Sequence, residues 1–187
     1  MAERQLDVIV ICGSLRKGSY NAALARALPQ YAPAAMIIRP APPYDGFPHY
    51  NHDLPVPADV TTFADAVRAA DGVIFVSPEY NWTIPGAMKN ALDWVSRFTD
   101  QPFKDKPVAI QSVSGSPIGG SRMQYHLRQS LVSIDALAFG RPEVLVPSAK
   151  TKFDEATLEL TDPAIIETVK QQLAGFDEFI RRVSRKS

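Results

Sequence analysis

The sequence predicts an α/β protein, a parallel sheet covered by helices on both faces. Three observations predict it. Short runs rich in β-branched residues recur, as in Val8–Cys12, Gly72–Ser77 and Val108–Val113. They are continuously apolar, as strands buried on both faces must be. Longer stretches of helical periodicity separate them, and parallel strands need such crossovers. The length of 187 residues, with 45% hydrophobic and 21% charged, suits one compact domain over residues 1–187. A chain of this size buries about 70% of its unfolded surface and needs no metal or disulfide to fold.

The elements follow in order. Val8–Cys12 is the first strand and leads into a small, polar loop, Gly13–Asn21. Ala22–Tyr31 is an alanine- and leucine-rich helix stopped near Pro33, and Met36–Arg39 is a short second strand. Pro40–Pro57 contains prolines 40, 42, 43, 48, 55 and 57 and reads as an ordered irregular loop. Val60–Ala70 is a helix with Val60, Phe63, Ala64 and Val67 on one face; Gly72–Ser77 is the third strand. The loop Pro78–Pro85 precedes a helix over Gly86–Phe98, broken before Pro102. Val108–Val113 is the fourth strand, Ser114–Ser121 its loop and Arg122–Leu137 a helix. Glu143–Val146 is a fifth strand, and Pro163–Val183 closes the chain as an amphipathic helix. Five strands and five helices suit a flavodoxin-like three-layer sandwich with a five-stranded parallel sheet of order 2-1-3-4-5.

Composition excludes several roles. Net charge is zero, so neither nucleic acid nor an anionic membrane is an expected partner. The basic cluster Arg181, Arg182, Arg185 and Lys186 complements the dipole of its own helix. The one cysteine, Cys12, cannot form an intrachain disulfide and reads as a small core residue. The N-terminus leads into only five consecutive apolar residues, Val8–Cys12, too short for a signal-peptide core or a membrane span. The expected location is cytoplasmic. His49, His52 and Asp53 lie close together in a proline-rich loop without metal-ligand spacing, so no metal is expected. Ser14 and Ser77 follow strands, but neither stands in GxSxG, which speaks against a hydrolase nucleophile.

In open α/β sheets ligands bind beyond the carboxyl ends of the strands, where the strand order reverses. Here that point lies between the first and third strands, beside Gly13–Asn21 and Pro78–Pro85, with Ser114–Ser121 on the same edge. The first loop offers Gly13 and Gly18 for close backbone approach, the short polar side chains of Ser14, Ser19 and Asn21, and the cationic fork of Arg16. It feeds a helix N-terminus, where free N–H groups favour an anion. It matches neither GxxxxGK[ST] nor GxGxxG. Two readings stand: a phosphate cradle, or an ordinary helix cap made by Ser19 or Asn21. The second loop carries Pro78, Glu79, Tyr80, Asn81 and Trp82 and is stiff, with flat faces. It suits docking the edge of a planar ring, or serves as a rigid connection.

The segments GSLRKGSYN, SPEYNWTIPGAMKNALDW and IGGSRMQYHLRQSLV together resemble the NADPH-dependent FMN reductase family, and within it the bacterial chromate or quinone reductase branch. The resemblance runs from Val8 to the last helix. It implies noncovalent FMN, with NADPH or NADH as the hydride donor. Ser14, Arg16, Ser19, Tyr20 and Asn21 would then hold the phosphate and neighbouring hydroxyls. Pro78, Glu79, Tyr80 and Asn81 would line the isoalloxazine edge, mostly through backbone groups, and Ser114 and Gly115 would close the opposite side. Relatives often carry glycine where Ser116 stands, a small departure here, and they vary at Trp82, at the pocket mouth. The implied activity is a ping-pong reduction of quinones and other small acceptors (chromate, azo dyes, ferric chelates, flavins). No residue is catalytic in the strict sense, because water can supply the protons.

Relatives are dimers or tetramers, and by resemblance Arg122, Tyr125, Arg128 and Glu143 form a polar network at a subunit interface. Lys89, Asn90, Asp93 and Trp94 belong to the matching segment but read as helix packing. Two alternatives are a flavodoxin-type electron carrier and a nonenzymatic flavin-binding sensor. Neutral net charge argues against the carrier, which is usually strongly acidic.

Overall fold

The computed structural model describes residues 4–184. Its elements are β1 (Leu6–Cys12), α1 (Tyr20–Tyr31), β2 (Met36–Pro40), α2 (Ala58–Ala69), β3 (Gly72–Val76), α3 (Gly86–Val95), β4 (Pro107–Val113), α4 (Ser121–Val132), β5 (Leu137–Ala138), β6 (Val144–Val146) and α5 (Pro163–Ser184). The sheet is parallel, in the order β2-β1-β3-β4-β5, with β6 also paired to β4.

The two-residue period of the strands divides the core. Leu6, Val8 and Val10 of β1 point to one face and pack with α1 and α5, through Leu24, Leu28, Leu173, Phe176 and Ile180. Ile9 and Ile11 point to the other and pack with α2, α3 and α4, through Phe63, Met88, Leu127 and Leu131. Strands β3 and β4 are buried along their whole length, as their apolar sequences demand.

The fifth sheet position differs from expectation. It holds two short strands: Leu137 and Ala138 beside Pro107 and Val108, then Val144–Val146 beside Gln111–Val113. The preceding helix is shorter than predicted, ending at Val132 rather than Leu137. Asp135 takes φ 55° there, Ala136 N–H bonds the carbonyl of Leu131 at 3.1 Å, and Asp135 N–H bonds that of Val132 at 3.2 Å. This closing pattern is usually signalled by glycine; aspartate also enters the left-handed region, without so plain a signal in the sequence. Arg181 of the basic cluster pairs with Asp177 at 2.6 Å and Arg182 stacks on Phe179, while Arg185 and Lys186 lie outside the described residues.

The proline-rich segment has neither helix nor strand between residues 41 and 57, yet it is anchored. Tyr44 is buried, its hydroxyl donates to the carbonyl of Cys12 at 2.7 Å, and its ring meets Phe47 and Phe63 edge-on. Trp94 Nε1 and Asn90 Nδ2 of α3 both donate to the carbonyl of Pro48, at 2.8 and 2.9 Å. Asn90 and Trp94 therefore fix this loop. Lys89 and Asp93 form an i,i+4 pair on the outer side of the same helix.

Candidate functional site

The carboxyl ends of β1, β3 and β4 open on one cleft with a volume of about 200 Å³. Each of the three loops named from the sequence supplies a wall. Ser14, Arg16, Ser19, Tyr20 and Asn21 come from the first, Pro78, Glu79 and Tyr80 from the second, and Ser114 and Gly115 from the third. Val113 and Ala149 complete it, and neither carries a side chain that would mark it in the sequence. Asn81 is not in the wall; it stands at the exposed tip of the second loop.

The first loop begins where the pairing of β1 with β3 ends. Gly13 N–H bonds the carbonyl of Val76 at 2.9 Å, and a Cβ on Gly13 would lie 2.2 Å from Ser77 Oγ. Only glycine fits there. Gly18 is under no such constraint, for an added Cβ would meet only Arg16, at 3.5 Å. Ser19 is the N-cap of α1, its Oγ accepting Ala22 N–H at 3.3 Å. The N–H groups of Tyr20 and Asn21 have no intrahelical acceptor, as in any first helical turn.

The Asn21 side chain does something the sequence did not disclose. Its Nδ2 donates to the carbonyl of Val113 and its Oδ1 accepts Val113 N–H, both at 2.9 Å and buried. It fastens the start of α1 to the end of β4, which the cap reading had not foreseen. What Asn21 offers a ligand is its own N–H.

The second loop is a two-residue hairpin. Tyr80 and Thr83 exchange both backbone hydrogen bonds at 3.0 Å around Asn81 and Trp82, with φ of 46° and 71°. This is a type I′ arrangement, which favours Asn-Gly. Tryptophan occupies the glycine position, with its indole 65% exposed. Tyr80 N–H is used within the turn and is not available to a ligand.

Glu79 turns its side chain away from the cleft. Its carboxylate accepts the N–H groups of Arg122 and Met123, at 3.1 and 3.3 Å, capping α4 from outside the helix. It also pairs with Arg122 Nη1 at 3.1 Å, and the Arg122 guanidinium lies 3.8 Å from the centroid of the Trp82 ring. Within the single chain, Arg122 of the expected interface group is thus engaged by Glu79 and Trp82. Arg128 sits 3.7 Å from Glu143 and donates to the carbonyl of Phe139, while Tyr125 is exposed.

In the third loop Ser114 Oγ accepts Ser116 N–H at 3.1 Å. Gly119 and Gly120 have φ of 62° and 84°, and a Cβ on either would lie within 3 Å of neighbouring atoms. An added Cβ on Gly115 would meet nothing within 4 Å, so the protein's own packing does not demand glycine there. Gln124 Nε2 bonds Ser112 Oγ, which donates to the carbonyl of Gly119, a buried brace beneath the loop.

The donor set fits FMN. Hydroxyls, a guanidinium and a helix N-terminus share one wall, and the one carboxylate among the wall residues is bound to α4. Among the described residues no cluster of three metal-ligating side chains occurs. Ser77 is fully buried, its hydroxyl bonded to the carbonyl of Pro78. Burial also pushes the Cys12 thiol above its usual range, consistent with a core residue.

A parallel 2-1-3-4-5 sheet, with a helix N-terminus opening on the cleft after β1 and a stiff turn after β3, is the layout of a flavodoxin-like protein. Comparison with known proteins is more specific. The chain belongs to the NADPH-dependent FMN reductase family, whose model matches residues 6–151. It is 46% identical to a quinone reductase of Escherichia coli (strain K12), over 98% of this chain and 99% of the relative. It is 42% identical to an NAD(P)H-dependent FMN reductase of Pseudomonas aeruginosa, over 95% and 97%. Among solved structures it superposes with TM-score 0.85 on FerB of Paracoccus denitrificans, a flavoenzyme NAD(P)H:(acceptor) oxidoreductase. That pair is 29% identical and covers 95% of this chain and 98% of the other.

Proposed function

We propose that this protein is an NAD(P)H-dependent FMN oxidoreductase that reduces quinones and other small acceptors. The observation carrying this reading is the convergence of three loops on one cleft in a chain of the FMN reductase family. The redox chemistry, acceptance of a hydride and delivery of two electrons, is what bound FMN supplies. The protein's work is binding and orientation. Ser14, Arg16 and the first N–H groups of α1 hold the phosphate, and Ser19 and Asn21 fix the helix that presents them. Among the second-loop residues of the cleft wall, Pro78 has no N–H and that of Tyr80 is spent in the turn, so the N–H of Glu79 is the donor left for the ring edge. Ser114 and Gly115 close the far side. The space of about 200 Å³ is smaller than common small-molecule pockets of roughly 300–1,000 Å³. A ligand as large as FMN therefore keeps part of its surface open, which lets nicotinamide and acceptor use the same opening in turn.

Chromate, azo dyes, ferric chelates and free flavins are acceptors compatible with such an opening. We assign the enzyme to the cytoplasm and to a homodimer or homotetramer. Exposed Tyr125 and Val132 on α4 support assembly, and Arg122→Ala should weaken it; unchanged sedimentation and activity would remove that part of the reading. The function is tested by anaerobic stopped-flow absorbance of the FMN-loaded protein with NADPH, NADH and then benzoquinone. Rapid bleaching of the flavin band and its return with quinone support the reductase. Slow bleaching with both nucleotides favours an electron carrier or sensor, and failure to bind FMN after reconstitution rejects the reading. Arg16→Ala should lose FMN on dialysis.

A further inference from the structure

A larger cavity, about 620 Å³, lies on the other side of the first loop, between α1 and the segment that follows β2. It shares only Ser14 with the cofactor cleft. One wall is the face of α1 bearing Ala22, Ala25, Arg26 and Pro29, at helical spacing of i, i+3, i+4 and i+7. The opposite wall is Pro40, Pro42, Pro43 and Tyr44. Alanines are too short to fill the gap from one side, and the prolines are too stiff to close it from the other. Tyr44 is fixed by its bond to the carbonyl of Cys12 and by the rings of Phe47 and Phe63. The slot is thus held open by its sequence, at a size within the range of small-molecule pockets.

Its chemistry selects an occupant. Prolines lack N–H groups, Ala41 N–H bonds the carbonyl of Val10 at 2.9 Å, and the Tyr44 hydroxyl is engaged. The proline and alanine walls therefore give a polar body such as a sugar little to bond, and the remaining polar groups of the lining are confined to Ser14, Arg26, Arg39 and Asp45. Two guanidinium groups stand at the cavity. Arg39 is neutralised by Asp7, whose carboxylate accepts from Nε and Nη2 along one edge of the guanidinium at 2.8 and 2.7 Å. Arg26 is exposed and makes no ion pair or hydrogen bond among the described residues, yet its charge is felt at the Cys12 thiol. Asp45 is the one acid in the lining, so a second negative group would be repelled.

We propose that this cavity is a second small-molecule site, distinct from the cofactor cleft, for a flat apolar molecule carrying a single anionic group held by Arg26. The probe is 1-anilinonaphthalene-8-sulfonate, which has fused rings and one sulfonate, titrated calorimetrically into the FMN-loaded protein. N-phenyl-1-naphthylamine, with the same rings and no sulfonate, is the neutral control. One-site saturable binding of the sulfonate is expected. Arg26→Ala, at an exposed position, should weaken it about fivefold, the scale of one exposed ion pair, and change the neutral probe by less than about twofold. Ala25→Leu should fill the slot and abolish both, with retained FMN absorbance showing that the fold survives. Sulfonate binding that is absent, that occurs only in FMN-free protein, or that is unchanged in both variants would overturn the proposal. These outcomes are independent of whether the enzyme reduces quinones.

Discussion

Replacing Asn21 by alanine tests whether this residue acts as a buried fastener or as a cofactor ligand. The side chain satisfies both the N–H and the carbonyl of Val113 at 2.9 Å, in a buried setting. Removing it leaves two buried backbone groups without partners, at about 1–3 kcal/mol each. The expected loss is about 2–6 kcal/mol, a large part of the roughly 5–15 kcal/mol available to a domain. For a chain of this length that corresponds to a fall in Tm of about 4–24 °C. The assay is urea unfolding of the FMN-free protein, because a bound cofactor adds its own stabilisation and would mask the difference. FMN affinity should fall as well, since the start of α1 is no longer held at the end of β4. Asn21→Asp should be at least as damaging at neutral pH, because it sets a carboxylate against the Val113 carbonyl. A loss below about 1 kcal/mol in FMN-free Asn21→Ala protein would refute the fastener. If FMN binding collapsed at the same time, the side chain would be a direct ligand instead.

Glu79→Ala should cost about 1–2 kcal/mol by uncapping α4, while Glu79→Gln, which keeps an acceptor oxygen, should cost less; equal melting shifts would contradict this. Trp82→Gly relieves left-handed strain of about 1–2 kcal/mol and forfeits about 0.5–1 kcal/mol of stacking by Arg122. Its stability should stay within about 1 kcal/mol of the parent, and a loss above about 2 kcal/mol would show that the indole has a structural role. The Cys12 thiol is raised by burial, against the smaller opposing influences of the Ser14 backbone and the charge of Arg26. Native protein at pH 8 should therefore alkylate with iodoacetamide at least about tenfold more slowly than urea-unfolded protein. Because the folded thiol holds its proton more tightly, its contribution to stability is intact below the ordinary cysteine range and fades as pH rises through it. Equal alkylation rates would show the thiol to be open to solvent.

The strands and crossover helices were legible because burial on both faces writes itself as unbroken apolar runs, as in Val8–Cys12 and Gly72–Val76. The three loops were legible because glycine, serine and proline gather where backbone must turn tightly. The division of the fifth strand was not, since it follows from Asp135 entering the left-handed region without glycine. Nor was the Asn21 fastener, whose partner is a main-chain group 92 residues away. The sequence names Glu79 and Arg122 as distinctive residues, but their union at the head of α4 depends on the packing of β3 against β4, which brings residues 43 apart in the chain together.

The divided fifth position also bears on how the protein behaves in a crowded solution. A sheet edge is a row of unpaired donors and acceptors, a template on which another chain can add a strand. Here one edge is split into segments of two and three residues, separated by Phe139–Glu143, and offers no long straight run. The other edge, β2, ends in Arg39, tied to Asp7, and in Pro40, which has no N–H to donate. Both margins are thereby poorer templates for strand addition than a long, straight edge would be.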